Sequence, residues 1–465
     1  EKDLWTWLRE GAPLGEFGDL PGIPESGIFP PVPVERRKPE EFEQLVAKVN
    51  AAQFANYSSF EEEPVLAKGE MKRMEEAHFL RRFSSLDELE RYVGGKVLLN
   101  RMALIVKDRP DGTKKLRIIT DLLRSRGNEF LLAPERIVLP RLLDALESVL
   151  YLLEDVERCS IAGWTEVEPE GVEMGSADVK DAFPNIPVRP ADRRAQCYKA
   201  FGDYYVSDAL VFGAGPSPLI WGRLAAWLAR MGQALFDFRE LQLQLYVDDP
   251  WWAVRGTSQQ RKRRTVVLLL FWEILGVPFS WAKGQVGPSI QWIGAQLTVT
   301  NAGPHGRGVS VTVPEEKSKD LAADAQVFLQ KQNTIGKRAV RRFAGQASFI
   351  AGLVPHLRPF LSGLWAAIRT SATLHGEKNE HLIWGAQIEH SCRWLLAFFS
   401  HHEGAPLVRH EYLKYRRADG RFSISIDASP WGIGGVLADN DQLVACFDSA
   451  LTSEDEDATG AKIGE

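Results

Sequence analysis

Cysteine is scarce in this chain and a long apolar run is missing. Four cysteines in 465 residues, Cys159, Cys197, Cys392 and Cys446, are scattered without paired spacing. That excludes a disulfide framework and a zinc knuckle, and makes a reducing compartment the expectation. The longest apolar stretch, Val266–Trp272, stops at Glu273 and runs into Gly276 and Pro278. It is far short of the about 20 residues a membrane helix needs, so no membrane partner is expected. Signal peptide, internal repeat and low-complexity tract are all missing from view. A net charge of −6 excludes a uniformly basic surface but says little about any single groove. With 45% apolar residues the chain can bury large cores, and about two to four domains are expected.

What stands out is acid at strand ends. Tyr246-Val247-Asp248-Asp249 follows the alternating run Leu241-Gln-Leu-Gln-Leu245, which predicts a strand with its leucines on a core and two carboxylates at its end. Upstream, Ser176-Ala-Asp178-Val-Lys-Asp181-Ala-Phe183-Pro-Asn-Ile-Pro-Val188 places an aspartate after a short apolar segment. An aromatic follows five residues on, and then prolines that bar regular helix. Three carboxylates from two strands can converge on one site. Phosphoryl transfer from a triphosphate needs developing charge neutralised and the attacking hydroxyl held in line. Two divalent ions about 3.5–4 Å apart do both, and magnesium takes a few carboxylates plus phosphate oxygens, with manganese as its substitute. Asp178 and Asp248 are the expected metal ligands. Asp249 would face away on a regular strand and is given a supporting metal and catalytic role.

These segments resemble the reverse transcriptases of retroelements. Asp178–Val188 is similar to the family's first palm motif and Tyr246–Asp249 to its catalytic hairpin. Other matches follow in the family's order over residues 98 to 300. Lys107–Asn128 resembles the fingers hairpin, with a turn at Asp111-Gly112 and Arg117 four residues before Asp121. Phe212-Gly213-Ala-Gly-Pro-Ser217-Pro218 resembles the glycine turn beneath template and nucleotide. Leu275–Lys283 and Gln291–Gly294 resemble the last two palm motifs. The resemblance implies that Lys107 and Arg117 grip the incoming triphosphate and that Lys283 donates a proton near the leaving pyrophosphate. It also implies that Phe183 excludes a 2′-hydroxyl and that Gly213 lets the backbone approach nucleotide or template. The bland alternatives are solvated charge for the cations, a core aromatic for Phe183 and an ordinary turn for Gly213. Pro250, where many relatives carry an aliphatic residue, removes a ladder donor and is expected to reshape the hairpin slightly. Phe212, in place of the glutamine of retroviral enzymes, points to a retrotransposon lineage.

Two basic blocks, Arg255–Arg264 and Lys331–Arg342, are candidates for phosphate contact, with a solvated helix face as the alternative. The second opens a helical region in which Phe343–Phe349 and Leu353–Phe360 resemble the thumb and connection of retrotransposon polymerases, the DIRS-type in particular. Towards the C-terminus, Phe422–Leu437 and Gln442–Phe447 resemble the first three strands of a ribonuclease H domain, with Asp427 as its opening metal-binding aspartate. Later acids of that domain are not found. Glu465 is left unassigned, ribonuclease H activity is not expected, and a fragment of a longer polyprotein is.

The expected fold is α+β: a right-hand polymerase of fingers, palm and helical thumb, with a partial ribonuclease H-like module. Expected boundaries are an N-terminal extension at 1–97, fingers and palm at 98–313, thumb and connection at 314–415, and the partial module at 416–465. The expected activity is RNA-directed DNA synthesis by a retrotransposon enzyme, with an RNA or DNA template, a primer and deoxynucleoside triphosphates as partners. The alternative is a catalytically inactive retroelement remnant that binds nucleic acid or a protein. An RNA-dependent RNA polymerase shares the palm, but Phe183 and the ribonuclease H-like strands argue against it.

Overall fold

The computed structural model describes residues 2–15, 21–51, 55–108, 112–161, 170–302, 306–330, 333–370, 372–374, 377–400, 407–416, 422–429, 431–439 and 442–452. Asp111, half of the expected fingers turn, and Glu465 lie outside them.

Helix and sheet are mixed, as an α+β chain requires. The first sheet contains β1 (Leu80–Phe83), β2 (Leu99–Asp108), β3 (Lys114–Asp121), β5 (Cys197–Ala200) and β6 (Asp203–Ser207), in the order β1-β6-β5-β2-β3. The second contains β4 (Gly171–Ser176), β7 (Leu241–Tyr246), β8 (Asp249–Gly256) and β9 (Gln285–Gly287), in the order β7-β8-β4-β9, antiparallel throughout. A third sheet joins β10 (Ser289–Trp292), β11 (Ala295–Thr300) and β12 (Gly308–Thr312) to the strand Val408–Tyr412.

The second sheet carries the candidate site, and both of its faces are covered. Alternation along β8 sends Trp251 and Ala253 into one core and Trp252 and Val254 into another. The first core is shared with the helix Leu142–Ile161, the third sheet and the helices that follow it. The second is shared with the helix Ser217–Gln233, the first sheet and N-terminal residues including Trp7 and Leu14. Gly175 lies directly across from Trp252, and a Cβ there would meet the indole at 2.2 Å. Only a glycine lets that ring lie flat over β4.

The apolar run Val266–Trp272 lies within the helix Ser258–Ile274, opened by a capping box between Thr257 and Gln260. Among the described residues no helix is long and apolar enough to cross a membrane. After residue 313 come the helices Glu315–Gln330, Lys337–Leu353, Arg358–Arg369 and Glu389–Phe399, with short two-stranded pieces among them. At the C-terminus Phe422–Ser429, Gly432–Asp439 and Gln442–Ala450 form an antiparallel meander.

Candidate active site

Asp178 leaves the end of β4 beside the β7–β8 hairpin, and backbone hydrogen bonds hold it there. The Val179 N–H donates to the Asp248 carbonyl at 2.8 Å and the Ala177 N–H to the Pro250 carbonyl at 3.1 Å. On the other side, the Asp178 carbonyl accepts from the Ser280 N–H and the Pro278 carbonyl from the Lys180 N–H, both at 2.8 Å. Residues 177–180 are thus stitched between the hairpin and the loop after Gly276.

The hairpin turns in two residues, with Tyr246 paired to Asp249. Val247 sits at φ +52°, a left-handed position that strains a β-branched side chain. Two indoles clamp it: Trp221 Nε1 donates to the Val247 carbonyl at 2.6 Å and Trp292 Nε1 to the Asp249 carbonyl at 3.1 Å. Pro250 pairs with Leu245 in the β7–β8 register. Lacking an N–H, it returns no bond to Ala177, and the β4–β8 ladder ends where the chain departs towards Asp178.

The electrostatics show that the three carboxylates share one field. Burial, then the charge of Asp178, raises Asp248 above the ordinary aspartate value, with Lys115 and Arg117 opposing. Asp249 is pushed up to about 6 by burial, then by Asp248 and Asp178, with Lys283 and Lys115 opposing. Lys283 Nζ donates to Asp178 Oδ2 at 2.6 Å. Among the described residues no three acidic, histidine or cysteine side chains close round a common point.

Facing the carboxylates is the β2–β3 hairpin. Its register pairs Lys107 with Lys115 and Ile105 with Arg117, so these four side chains share a face. Lys107 is exposed there. Lys115, which the sequence reading passed over, is held below the ordinary lysine value by burial and by the neighbouring charges of Lys283 and Arg117. Its signal was available: two residues before Arg117 on a strand is the same face.

Phe183 is buried at 8% exposure, with its ring centroid 5.0 Å from that of Phe212. The Arg117 guanidinium lies 4.4 Å from the Phe212 ring centre. Gly213 has φ +114°, and a Cβ would fall 1.9 Å from the Thr120 carbonyl oxygen. The close approach that demands glycine here is to β3 of the same chain. Asn128 fastens the turn, donating to the Gly213 carbonyl at 3.0 Å and accepting from the Gly215 N–H at 2.9 Å.

The two basic blocks separate. In the first, Arg255 pairs with Asp155 at 2.6 Å, Arg261 with Glu173 at 3.1 Å and Arg264 with Glu240 at 2.5 Å, which makes these arginines part of the fold. In the second, Arg342 pairs with Asp324, whereas Arg338 and Arg341 lie exposed on their helix. Asp427 is exposed on the C-terminal meander, and the register sets it and Asp448 on either side of Gly434.

No family model matches the chain, and no curated protein matches it in sequence. Solved structures match it in fold. A foamy viral protease-reverse transcriptase dRH in complex with double-stranded DNA superposes with a TM-score of 0.51 at 14% identity, over 92% of this chain and 60% of that one. A foamy viral protease-reverse transcriptase with an RNA/DNA hybrid gives 0.51 at 13%, over 86% and 44%. The same kind of protein with double-stranded DNA gives 0.50 at 12%, over 95% and 73%. The chain therefore has a reverse transcriptase-like fold, and it spans about 60% of the length of the first of these proteins.

Proposed function

We propose that the chain is the reverse transcriptase of a retrotransposon, adding deoxynucleotides to a primer 3′ end on an RNA or DNA template. The observation that carries this reading is the juxtaposition of Asp178 with the Asp248 turn, opposite the face of β2–β3 that bears Lys115 and Arg117. The donor set fits magnesium or manganese. Burial and neighbouring aspartates raise Asp248 and Asp249, so the half-buried acids gather negative charge that a divalent cation would neutralise, and so few ligands leave room for water and phosphate oxygens. Asp178 and Asp248 would hold the ions, supported by Asp249. When bound, the ions would offset charge on the transferring phosphoryl group and activate the primer hydroxyl.

The chain's own residues would do the rest. Lys107, Lys115 and Arg117 would bind the triphosphate. Phe183, propped by Phe212, would close the space of a 2′-hydroxyl. Lys283 would carry a proton to the leaving pyrophosphate, and exposed Arg338 and Arg341 would meet template-primer phosphates. Phe212, with the Phe343–Phe360 region, supports a retrotransposon lineage of DIRS type. The C-terminal meander supports a partial ribonuclease H-like module with Asp427 as its metal-binding aspartate. Fingers and palm would occupy residues 98–313, and thumb and connection 314–415.

The test is extension of a DNA primer on poly(rA) with deoxythymidine triphosphate and magnesium. Extension by the wild-type chain is expected. Tight template-primer binding without extension would instead identify a non-catalytic remnant.

A further inference from the structure

Asp181, three residues past Asp178, has no part in the chemistry above, yet it sits in left-handed backbone at φ +49° and is gripped from far away in sequence. Arg73, on the helix Pro64–Glu76, sends Nη1 to Asp181 Oδ2 at 3.1 Å and Nη2 to Asp181 Oδ1 at 3.4 Å. The same guanidinium is held from behind by Glu70, with Nε to Oε2 at 3.0 Å and Nη2 to Oε1 at 2.8 Å. Glu70 is nearly buried, and Ala67 and Met71 seat this helix in the core, packed against β1 and β3. The fork is therefore aimed by a fixed support.

Asp181 opens the turn that carries Phe183. Its carbonyl accepts from the Asn185 N–H at 3.1 Å, and Asn185 Nδ2 donates to the Lys180 carbonyl at 2.8 Å. Phe183 lies between these anchors, in the short helical turn Phe183–Asn185. We infer that Arg73 is a positioning residue for the nucleotide site: by clamping Asp181 it fixes where the Phe183 ring stands, and so ties nucleotide affinity and sugar choice to the N-terminal region. The inference rests on the polymerase reading above. A planar fork held by one carboxylate and holding another is a geometry lysine does not reproduce.

Single-nucleotide incorporation by the full chain tests this, with deoxy- and ribonucleotides compared for wild type, Arg73→Ala, Arg73→Lys, Asp181→Asn and the Arg73→Ala/Asp181→Asn double variant. Arg73→Ala should raise KM for the deoxynucleotide about tenfold with kcat at saturation largely kept, since the contact removed shapes the binding pocket and does not touch the reacting atoms. The ribo-to-deoxy efficiency ratio should rise. Arg73→Lys, which keeps charge and helix, should fall between the two and decides the matter if the alanine variant does not fold. The double variant should be no worse than the stronger single one, because both remove one contact. Unchanged KM and sugar ratio in both Arg73 variants, or effects that multiply in the double variant, would overturn the inference while leaving the polymerase reading intact. A wild-type chain that incorporates nothing would overturn both.

Discussion

Phe183, with its ring against Phe212, is the proposed sugar-discriminating side chain. Phe183→Val should raise the ribo-to-deoxy efficiency ratio by removing a steric exclusion, and single-nucleotide incorporation measures it. An unchanged ratio would place the discrimination elsewhere. A second prediction concerns Glu135, which is buried with Arg223 at 2.7 Å. Burial pushes this carboxyl up, but the Arg223 guanidinium and donors from Ser26 outweigh it, leaving the folded value below 4.5. The sign follows: the pair stabilises the fold above the unfolded value and loses that contribution as pH falls through the folded one. Glu135→Gln should cost about 3–5 kcal/mol at neutral pH by leaving a buried guanidinium uncompensated. Urea unfolding should show the gap to wild type closing as pH drops below 4.5; a constant gap would contradict the assignment. At this scale the acids were legible, because paired carboxylates at a strand end have few structural uses. Lys115 was not, because an exposed lysine and a half-buried one read alike until the β2–β3 register is known. Arg73 was not, because its partner is 108 residues away.

Among the elements, β4 and β8 bear the greatest constraint. Gly175→Val should force Trp252 out of its place across β4, with a loss of about 3 kcal/mol or more, of the size overpacking a close-packed core brings. Thermal unfolding checks it, and a variant as stable as wild type would mean the indole has somewhere else to go. Strand β7 was legible from its period-two alternation. The role of Arg255, Arg261 and Arg264 was not. A basic run reads as a phosphate-binding surface until Asp155, Glu173 and Glu240, brought up by folding, claim its guanidinium groups. Gly213 was legible as a glycine that must be one, but its neighbour, the Thr120 carbonyl, could come only from the packing of β3.

Over the whole molecule, tertiary pairing runs across residues 98 and 313, the expected boundaries. Strand β1 and Trp7 lie before residue 98 yet join the first sheet and the core beneath the second, and Val408–Tyr412 closes a sheet begun at β10. The meander differs. Ile424, Ile426, Leu443 and Phe447 are exposed, so its removal should uncover little. A chain ending at Arg416 should melt within a few degrees of the full one, and a large drop would show that the meander supports the rest. Under the proposed function, Asp178 and Asp248 together carry the metal-dependent chemistry. The most direct test is primer extension on poly(rA) by wild type, Asp178→Asn and Asp248→Asn, with template-primer binding measured on the same samples. Wild type should extend the primer, either variant should lose several orders of magnitude in extension, and both should largely retain binding. Near-normal extension by Asp248→Asn would contradict the proposed roles.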